Sequence, residues 1–155
     1  MPGIPSPMAD ANFFNDPEAA RIIFQSGARV TMVGMDVTML TLFTGAQMDA
    51  LAARGDPATR AAMQASRFYL AAYQAQYPDI TGCALHDPLA VAVAADPSLV
   101  TTEALSCDVE CAGEITRGQV IADRRRTGRT VPNVDVCTGV DVPRFLGLFL
   151  QILGR

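Results

Sequence analysis

The only histidine of this 155-residue chain, His86, stands directly before Asp87 and Pro88. An imidazole is the side chain whose ordinary pKa lies nearest neutrality, so it can donate or accept a proton at cellular pH. A neighbouring carboxylate can bind a hard cation or accept hydrogen bonds from a hydroxyl-rich substrate. Because Pro88 disfavours the helical conformation at Asp87 and suits the opening of a helix, the pattern predicts a helix over residues 89–95. His86 and Asp87 would then lie on the turn before that helix.

A purely structural interpretation accounts for the same residues. Asp-Pro pairs also occur at residues 16–17, 56–57 and 96–97. At those places an N-cap followed by a helix-opening proline explains them. Asp87 could be a fourth such cap, and His86 could be a half-buried histidine that serves only packing. The spacing of these residues leaves both interpretations open.

Other segments carry the signals of helices that would surround this turn. Helices are predicted over residues 17–26, 45–54 and 57–76 and after Asp141, from caps, proline openings and a Thr44–Gln47 capping box. On the third helix the predicted apolar face consists of Ala61, Ala65, Phe68 and Ala72. Tyr69, Tyr73 and Tyr77 either pack at its rim or stack on a ligand. On the last helix the predicted buried stripe consists of Phe145, Leu148, Phe149, Ile152 and Leu153.

Extended patterns complete the predicted fold. Strands are expected at residues 29–35, 105–111, 119–122 and 134–136. The first run is short and mainly apolar, which predicts a parallel strand at the centre of the sheet, covered on both faces. The His86 turn is expected at the C-terminal end of a strand. The whole pattern predicts one α/β domain over residues 1–155, with a mostly parallel sheet, flanking helices and a late β-hairpin.

Composition excludes several classes of partner. The net charge of −4 and the pI near 4.8 argue against nucleic acid or an acidic membrane surface. No apolar stretch has the length of a membrane-spanning helix, so we expect a cytoplasmic protein. The four cysteines show no metal-site spacing, which predicts buried free thiols, with Cys107 and Cys111 on one face of a strand.

Four motifs in sequence order resemble the C-terminal half of the inosine–uridine-type nucleoside hydrolases. The first joins Ala-Asp-Ala-Asn at residues 9–12 to Asp-Pro-Glu-Ala-Ala at residues 16–20. The second is the run over residues 30–38, which ends in Asp-Val-Thr. The third and most diagnostic is Cys-Ala-Leu-His-Asp-Pro-Leu-Ala at residues 83–90. The fourth is Gly-Glu-Ile-Thr-Arg-Gly at residues 113–118.

The resemblance implies an enzyme that cleaves the N-glycosidic bond of ribonucleosides, giving ribose and a free base, with a bound calcium ion. It implies that His86 is catalytic and protonates or orients the leaving base. Asp87 would be a calcium ligand, and Asp10 and Asn12 would hold the ribose hydroxyls. Ligands of open α/β sheets gather at the C-terminal ends of the strands, so we expect Asp10, Asn12, Asp36 and His86 to converge there.

The chain departs from the family pattern at several places. Asp10 stands where the family has glutamate, Ala11 where it has an aromatic residue, and Ile4 where it has a ribose-binding asparagine. The aspartate-rich N-terminal motif that supplies most calcium ligands does not occur in this sequence. We therefore expect the C-terminal portion of an enzyme (truncated, split or started internally) that is inactive alone. The expected partners are a ribonucleoside and either the missing half or a second copy of the chain.

A non-catalytic remnant or accessory module is the alternative. Such a module would bind a partner protein or a nucleoside without turnover. The sequence leaves this choice open, and it also leaves open whether a purine or a pyrimidine base is preferred.

Overall fold

Side-chain caps set the start of most helices in the computed structural model, which describes residues 8–125 and 131–154. The side chains of Asp10, Asp16, Thr44, Asp56 and Asp141 each accept a hydrogen bond from a backbone N–H in the following first turn. The helices are α1 (Ala11–Asn15), α2 (Pro17–Gln25), α3 (Met35–Thr38), α4 (Gly45–Arg54), α5 (Pro57–Gln76), α6 (His86–Ala95) and α7 (Val142–Leu153), with a short 3-10 helix at Pro97–Leu99. The caps and the Thr44–Gln47 capping box predicted from the sequence are confirmed.

Within the residues that the structure describes, six strands form two sheets. They are β1 (Thr31–Met32), β2 (Leu42–Thr44), β3 (Gly82–Ala84), β4 (Val100–Val109), β5 (Val120–Asp123) and β6 (Val134–Val140). One sheet has the order β1-β6-β4-β5, with β1 and β6 parallel and β4 and β5 antiparallel, and the other pairs β2 with β3 antiparallel. The predicted α/β class with flanking helices and a late β-hairpin is confirmed. The strand pairing is mixed.

The chain divides into two compact units, and each combines two separate segments. The first contains residues 1–36 and 101–138, and the second contains residues 37–100 and 139–155. Phe24, Leu105, Cys107, Val109, Val134 and Val136 form the core of the first unit. The second unit buries Phe43, Met48, Leu51, Leu89 and Phe145 almost completely. The single domain over residues 1–155 stays a prediction.

The strand predicted over residues 29–35 is wrong in length and position. Only Thr31 and Met32 are paired, opposite Asp135 and Val136, and the strand is at the edge of the described four-stranded sheet. Thr31 is exposed and Met32 half-buried, so the strand is not covered on both faces. β1 ends at Met32 and α3 begins at Met35, so the ladder is short.

The predicted start of α6 is also wrong. The helix begins at His86, so His86 and Asp87 belong to its first turn and Pro88 is its third residue. The first N–H groups of a helix have no partner within the helix, so a proline there removes no hydrogen bond. Leu85 precedes the helix without a side-chain cap.

The buried face of α5 is not the predicted one. Ala61, Ala65 and Ala72 are exposed, as is Phe68, whose relative exposure is 82%. The helix instead buries Met63, Leu70 and Tyr73. Alanine occurs on several sides of this helix, so its spacing did not identify the packed face.

The stripe on α7 is buried only in part. Phe145 is buried and Phe149 packs edge-on against Phe43 with ring centroids 5.4 Å apart. Leu148 and Ile152, which belong to the same predicted stripe, are exposed. Within residues 8–125 and 131–154, no helix combines the length and apolar character needed to cross a membrane.

The cysteines follow the prediction with one exception. All four are free thiols, and Cys83, Cys107 and Cys137 are buried. Burial raises the pKa of each of these three thiols. Cys111 lies beyond the end of β4 and is partly exposed, so the predicted shared strand face with Cys107 is wrong.

Two glycines give opposite predictions for stability. A Cβ at Gly82 would lie 2.7 Å from the carbonyl oxygen of Phe43 on the paired strand, whereas a Cβ at Gly147 in α7 would meet nothing within 4 Å. We expect Gly82→Ala to destabilise the chain by about 2 kcal/mol through overpacking. Gly147→Ala should stabilise it by about 0.5–1 kcal/mol through helix propensity. Urea unfolding measures both, and equal effects of the two substitutions would contradict this packing of β2 on β3.

Candidate functional site

The strand pair β2–β3 places His86. Phe43 faces Cys83 across the antiparallel ladder, and the close approach at Gly82 keeps the two backbones in contact. The N–H of Leu85 then donates to the carbonyl oxygen of Thr41 over 3.0 Å, before the chain turns into α6. His86 therefore lies at the C-terminal end of a strand, as predicted.

Both ring nitrogens of His86 are hydrogen-bonded to hydroxyl groups. Nε2 lies 2.6 Å from Oη of Tyr73 on α5, and Nδ1 lies 2.6 Å from Oγ1 of Thr38 at the end of α3. The imidazole is half-buried, and Tyr73 and Thr38 are buried. Three helices thus fix the orientation of the ring.

Thr41 holds the two sides of this arrangement together. Its Oγ1 donates to the carbonyl oxygen of Thr38 over 2.8 Å, and its own carbonyl accepts from Leu85. Both threonines are at most 2% exposed. One buried residue therefore ties the segment that carries Thr38 to the segment that carries His86.

A second tyrosine extends this set of polar contacts. Oη of Tyr69 lies 3.5 Å from Oη of Tyr73, which in turn lies 2.6 Å from Nε2 of His86. Which atom donates in each contact with His86 depends on the tautomer of the ring. Burial, followed by the hydrogen bond with Tyr69, raises the pKa of Tyr73, which keeps its phenol protonated. The two hydroxyls thus connect His86 to Tyr69.

A cavity of about 350 Å³ opens beside the hydrogen-bonded side chains of Tyr69, Tyr73 and His86. Its wall is mainly apolar and includes Phe43, Met63, Leu85, Phe149 and Leu153. Its polar lining comes from Ser66, Tyr69, His86 and Asp87. Small-molecule sites have this size and this mixture of an apolar wall with a few polar groups. The cavity can hold a flat heterocycle whose polar edge faces the hydroxyl–imidazole chain.

Asp87 could offer one carboxylate to a metal ion. Its carboxylate is exposed in the first turn of α6, next to His86 at the cavity. No group of three or more histidine, cysteine, aspartate or glutamate side chains could hold a metal within the part of the chain that the structure describes. Calcium takes six to eight oxygen ligands. These residues therefore do not form a complete calcium site by themselves.

Asp10 and Asn12 belong to the first unit, whereas His86 and Asp87 belong to the second. Oδ1 of Asp10 accepts from the N–H of Asn12 over 2.9 Å and caps α1. Asn12 is exposed, and so is Asp36 in α3. The structure brings His86 and Asp87 to one cavity, and the convergence of Asp10, Asn12 and Asp36 on it stays a prediction. Ile4 lies outside the described residues.

Sequence reasoning did not assign Tyr73, Tyr69 and Thr38 to the site. A signal for the tyrosines exists, because residues four apart lie on one helix face, which puts Tyr69 and Tyr73 on the same side of α5. Their contact with His86 depends on how α5 packs against α6. The role of Thr38 likewise depends on tertiary packing, since 48 positions separate it from His86.

Comparison with known proteins decides the family. Residues 2–147 match the family described as inosine-uridine preferring nucleoside hydrolase. The chain belongs to this family. The family predicted from the four motifs is thereby confirmed.

Relatives of this nucleoside hydrolase chain differ in the base that their names state. It is 34% identical over 148 residues to the inosine-uridine preferring nucleoside hydrolase of Crithidia fasciculata, covering 96% of this chain and 47% of that protein. It is 31% identical to the pyrimidine-specific ribonucleoside hydrolase of Enterobacter sp., covering 97% of this chain and 48% of that protein. The chain spans about half the length of the curated relatives it matches.

A solved structure shows the same fold. The purine-preferring ribonucleoside hydrolase from Gardnerella vaginalis matches with a TM-score of 0.89 and 43% identity. The match covers 98% of this chain and 48% of that chain. The elements that carry His86 therefore belong to a nucleoside hydrolase fold.

Removal of one hydroxyl tests the hydrogen bond to His86. We expect Tyr73→Phe to lower the free energy of unfolding by about 1 kcal/mol, because it leaves Nε2 of a half-buried ring without its partner. Tyr77→Phe is the matched control, since the structure shows no hydrogen bond to that hydroxyl within the described residues. Urea denaturation measures both variants. Equal stability of the two variants would contradict the hydrogen bond between Tyr73 and His86.

Proposed function

We propose that this chain forms the C-terminal part of a ribonucleoside hydrolase that cleaves the N-glycosidic bond and releases ribose and a free base. Membership of the family supports the reaction class. The observation that carries the proposal is His86, held at 2.6 Å by both Tyr73 and Thr38 beside a cavity of about 350 Å³. We propose a ribonucleoside as the substrate, and we expect no nucleic acid as a partner.

The chemistry of the bond explains why a positioned proton donor is needed. When the C–N bond breaks, its electron pair goes to the base, and positive charge develops on the sugar. A proton delivered to a nitrogen of the base neutralises the leaving group, while water attacks the anomeric carbon. In its protonated form His86 supplies that proton directly or through the hydroxyls of Tyr73 and Tyr69. The attacking water loses one proton as it bonds to the anomeric carbon, and this proton balances the one given to the base.

Asp10 and Asn12 are proposed to hold the ribose hydroxyls. A carboxylate accepts and an amide both donates and accepts, which suits a vicinal diol. The capping bond uses Oδ1 of Asp10 and leaves Oδ2 outside it. Aspartate is one methylene shorter than the glutamate that the family pattern has here, so its reach toward the ribose is shorter.

Asp87 is the one residue of this chain that we propose as a calcium ligand. A carboxylate oxygen is the donor type that calcium prefers. One exposed aspartate leaves the ion largely hydrated, so the described residues do not fit a complete site. We assign no step of the reaction to the ion, and we propose that the chain alone does not turn over nucleosides.

A non-catalytic module is the second candidate. The incomplete set of metal ligands around Asp87 favours it, as does the Asp10 substitution. Such a module would bind a partner or a nucleoside in the cavity without cleaving it. Base preference remains open between purine and pyrimidine, and a cytoplasmic location and self-association are further proposals.

A chimera tests the catalytic role of His86. The part of the Gardnerella vaginalis hydrolase outside its match would be joined before the 155 residues of this chain. In the active chimera we expect His86→Ala to lower kcat by about a hundredfold, the usual size of a lost general acid. Val91→Ala, an exposed change in the same helix, should leave kcat unchanged. Full turnover of inosine and uridine by the His86 variant would refute the acid role.

A second prediction concerns the 155-residue chain without the added part of the chimera. We expect no calcium binding in the micromolar range and no release of ribose, because Asp87 supplies one ligand where six to eight are needed. Calorimetric titration with calcium and a reducing-sugar assay on several nucleosides measure the two quantities. The Asp87→Asn variant should give the same heats as the unaltered chain. Micromolar affinity together with steady ribose release would show a complete site.

A further inference from the structure

The helix that carries Asp10 and Asn12 is too short to be stable by itself. α1 has five residues, begins at the Asp10 cap and ends at Asp16, which also caps α2. Forming a first helical turn is unfavourable, and isolated helices of fewer than about 12 residues are marginal in water. The position of α1 must therefore be fixed by contacts with other elements.

Gly118 supplies one such contact from the turn between β4 and β5. Its φ is +82°, and a Cβ there would lie 2.8 Å from Cα of Phe14 and 2.9 Å from the carbonyl oxygen of Phe13. The backbone of α1 thus lies directly on the backbone of the turn. A side chain at this position would push the two apart.

Arg117, the preceding residue, supplies the second contact. Its two terminal nitrogens donate to Oε1 and Oε2 of Glu18, each over 2.8 Å, and Nη1 also donates to the carbonyl oxygen of Cys111 over 2.5 Å. Glu18 is in the first turn of α2, directly after α1. The guanidinium lowers the pKa of Glu18, as expected for a paired carboxylate.

Glu110 orders the turn that carries both residues. Its Oε1 accepts from the N–H groups of Ala112 and Gly113 over 2.7 and 3.0 Å. Its carbonyl oxygen accepts from the N–H of Gly118 over 2.7 Å. The turn is therefore a rigid support, held by its own hydrogen bonds before α1 is considered.

We propose that Arg117 is a positioning residue, which with Gly118 and Glu18 forms a clamp that holds α1 and so sets where Asp10 and Asn12 meet the ribose. The proposal rests on the proposed function for its assignment of ribose binding to those two residues. The clamp also gives two of the sequence motifs a shared role. Glu18 belongs to the Asp-Pro-Glu segment and Arg117 to the Glu-Ile-Thr-Arg-Gly segment, and the two side chains form one ion pair. Lysine cannot replace the guanidinium of Arg117 in this two-nitrogen contact, because its ammonium group lacks the planar arrangement of donors.

Hydrogen exchange on the full 155-residue chain tests the clamp without any need for activity. The reporter is the N–H of Phe14, which donates to the carbonyl oxygen of Asp10 over 2.8 Å. In Arg117→Lys we expect its exchange to be about threefold faster or more, the size of a lost paired contact. The N–H of Asp135, which bonds to Val30 between β6 and β1, should exchange at an unchanged rate.

Arg21 provides a matched control. Its guanidinium also pairs through two nitrogens, with Asp108 over 3.0 and 3.1 Å, but it joins α2 to β4. Arg21→Lys should leave exchange at Phe14 unchanged. Gly118→Ala, which acts through the backbone contact, should accelerate exchange at Phe14 as well.

The chimera supplies the second readout. Arg117→Lys should lower kcat/KM by about tenfold, mostly through KM, because misplaced binding groups weaken the hold on the substrate. Arg21→Lys should leave both constants unchanged. Equal exchange at Phe14 in both lysine variants, or an unchanged KM in Arg117→Lys, would overturn the clamp. An inactive chimera would refute the proposed function, and exchange at Phe14 would still decide the clamp.

Discussion

The imidazole of His86 is held between two hydroxyl groups, each 2.6 Å from one of its nitrogens. The hydroxyls come from α3 and α5, so the site exists only when those helices and α6 are packed together. Thr41 fixes the segment of Thr38 against Leu85, and the close approach at Gly82 fixes β3 against β2. Each of these buried contacts limits the freedom of the ring. The result is one orientation for the only histidine in the chain.

The two compact units carry different parts of the proposed site. The hydroxyls, the imidazole and the cavity that we propose for proton transfer occur together within one unit. The proposed metal ligand is one exposed carboxylate, Asp87, and the described residues contain no cluster of metal-binding side chains around it. The segment that we propose for ribose binding belongs to the other unit and is supported by the turn between β4 and β5. These parts rest on different contacts and can be disturbed separately.

Local signals predicted the helix starts that have a side-chain cap, whereas tertiary packing decided the strand lengths and the buried helix faces. Asp16, Thr44 and Asp56 were identified because a cap is specified within four residues. The length of β1 and the buried side of α5 were not, because both depend on distant partners. Tyr73 shows the limit most clearly, since its spacing suggested a rim position while its packing against α6 makes it the partner of His86. Pro88 was misinterpreted for a local reason, because the first helical turn tolerates proline.

A single measurement tests the central claim that hydroxyl groups hold both ring nitrogens of His86. With ¹⁵N-labelled histidine, the full chain gives the ring signals of one residue, because the sequence contains one histidine. Because each nitrogen has its own hydroxyl partner, we predict that the neutral ring adopts one tautomer, seen as two separate nitrogen signals, one protonated and one unprotonated. Two nitrogen signals averaged by rapid exchange of tautomers, as in a solvated imidazole, would contradict the account.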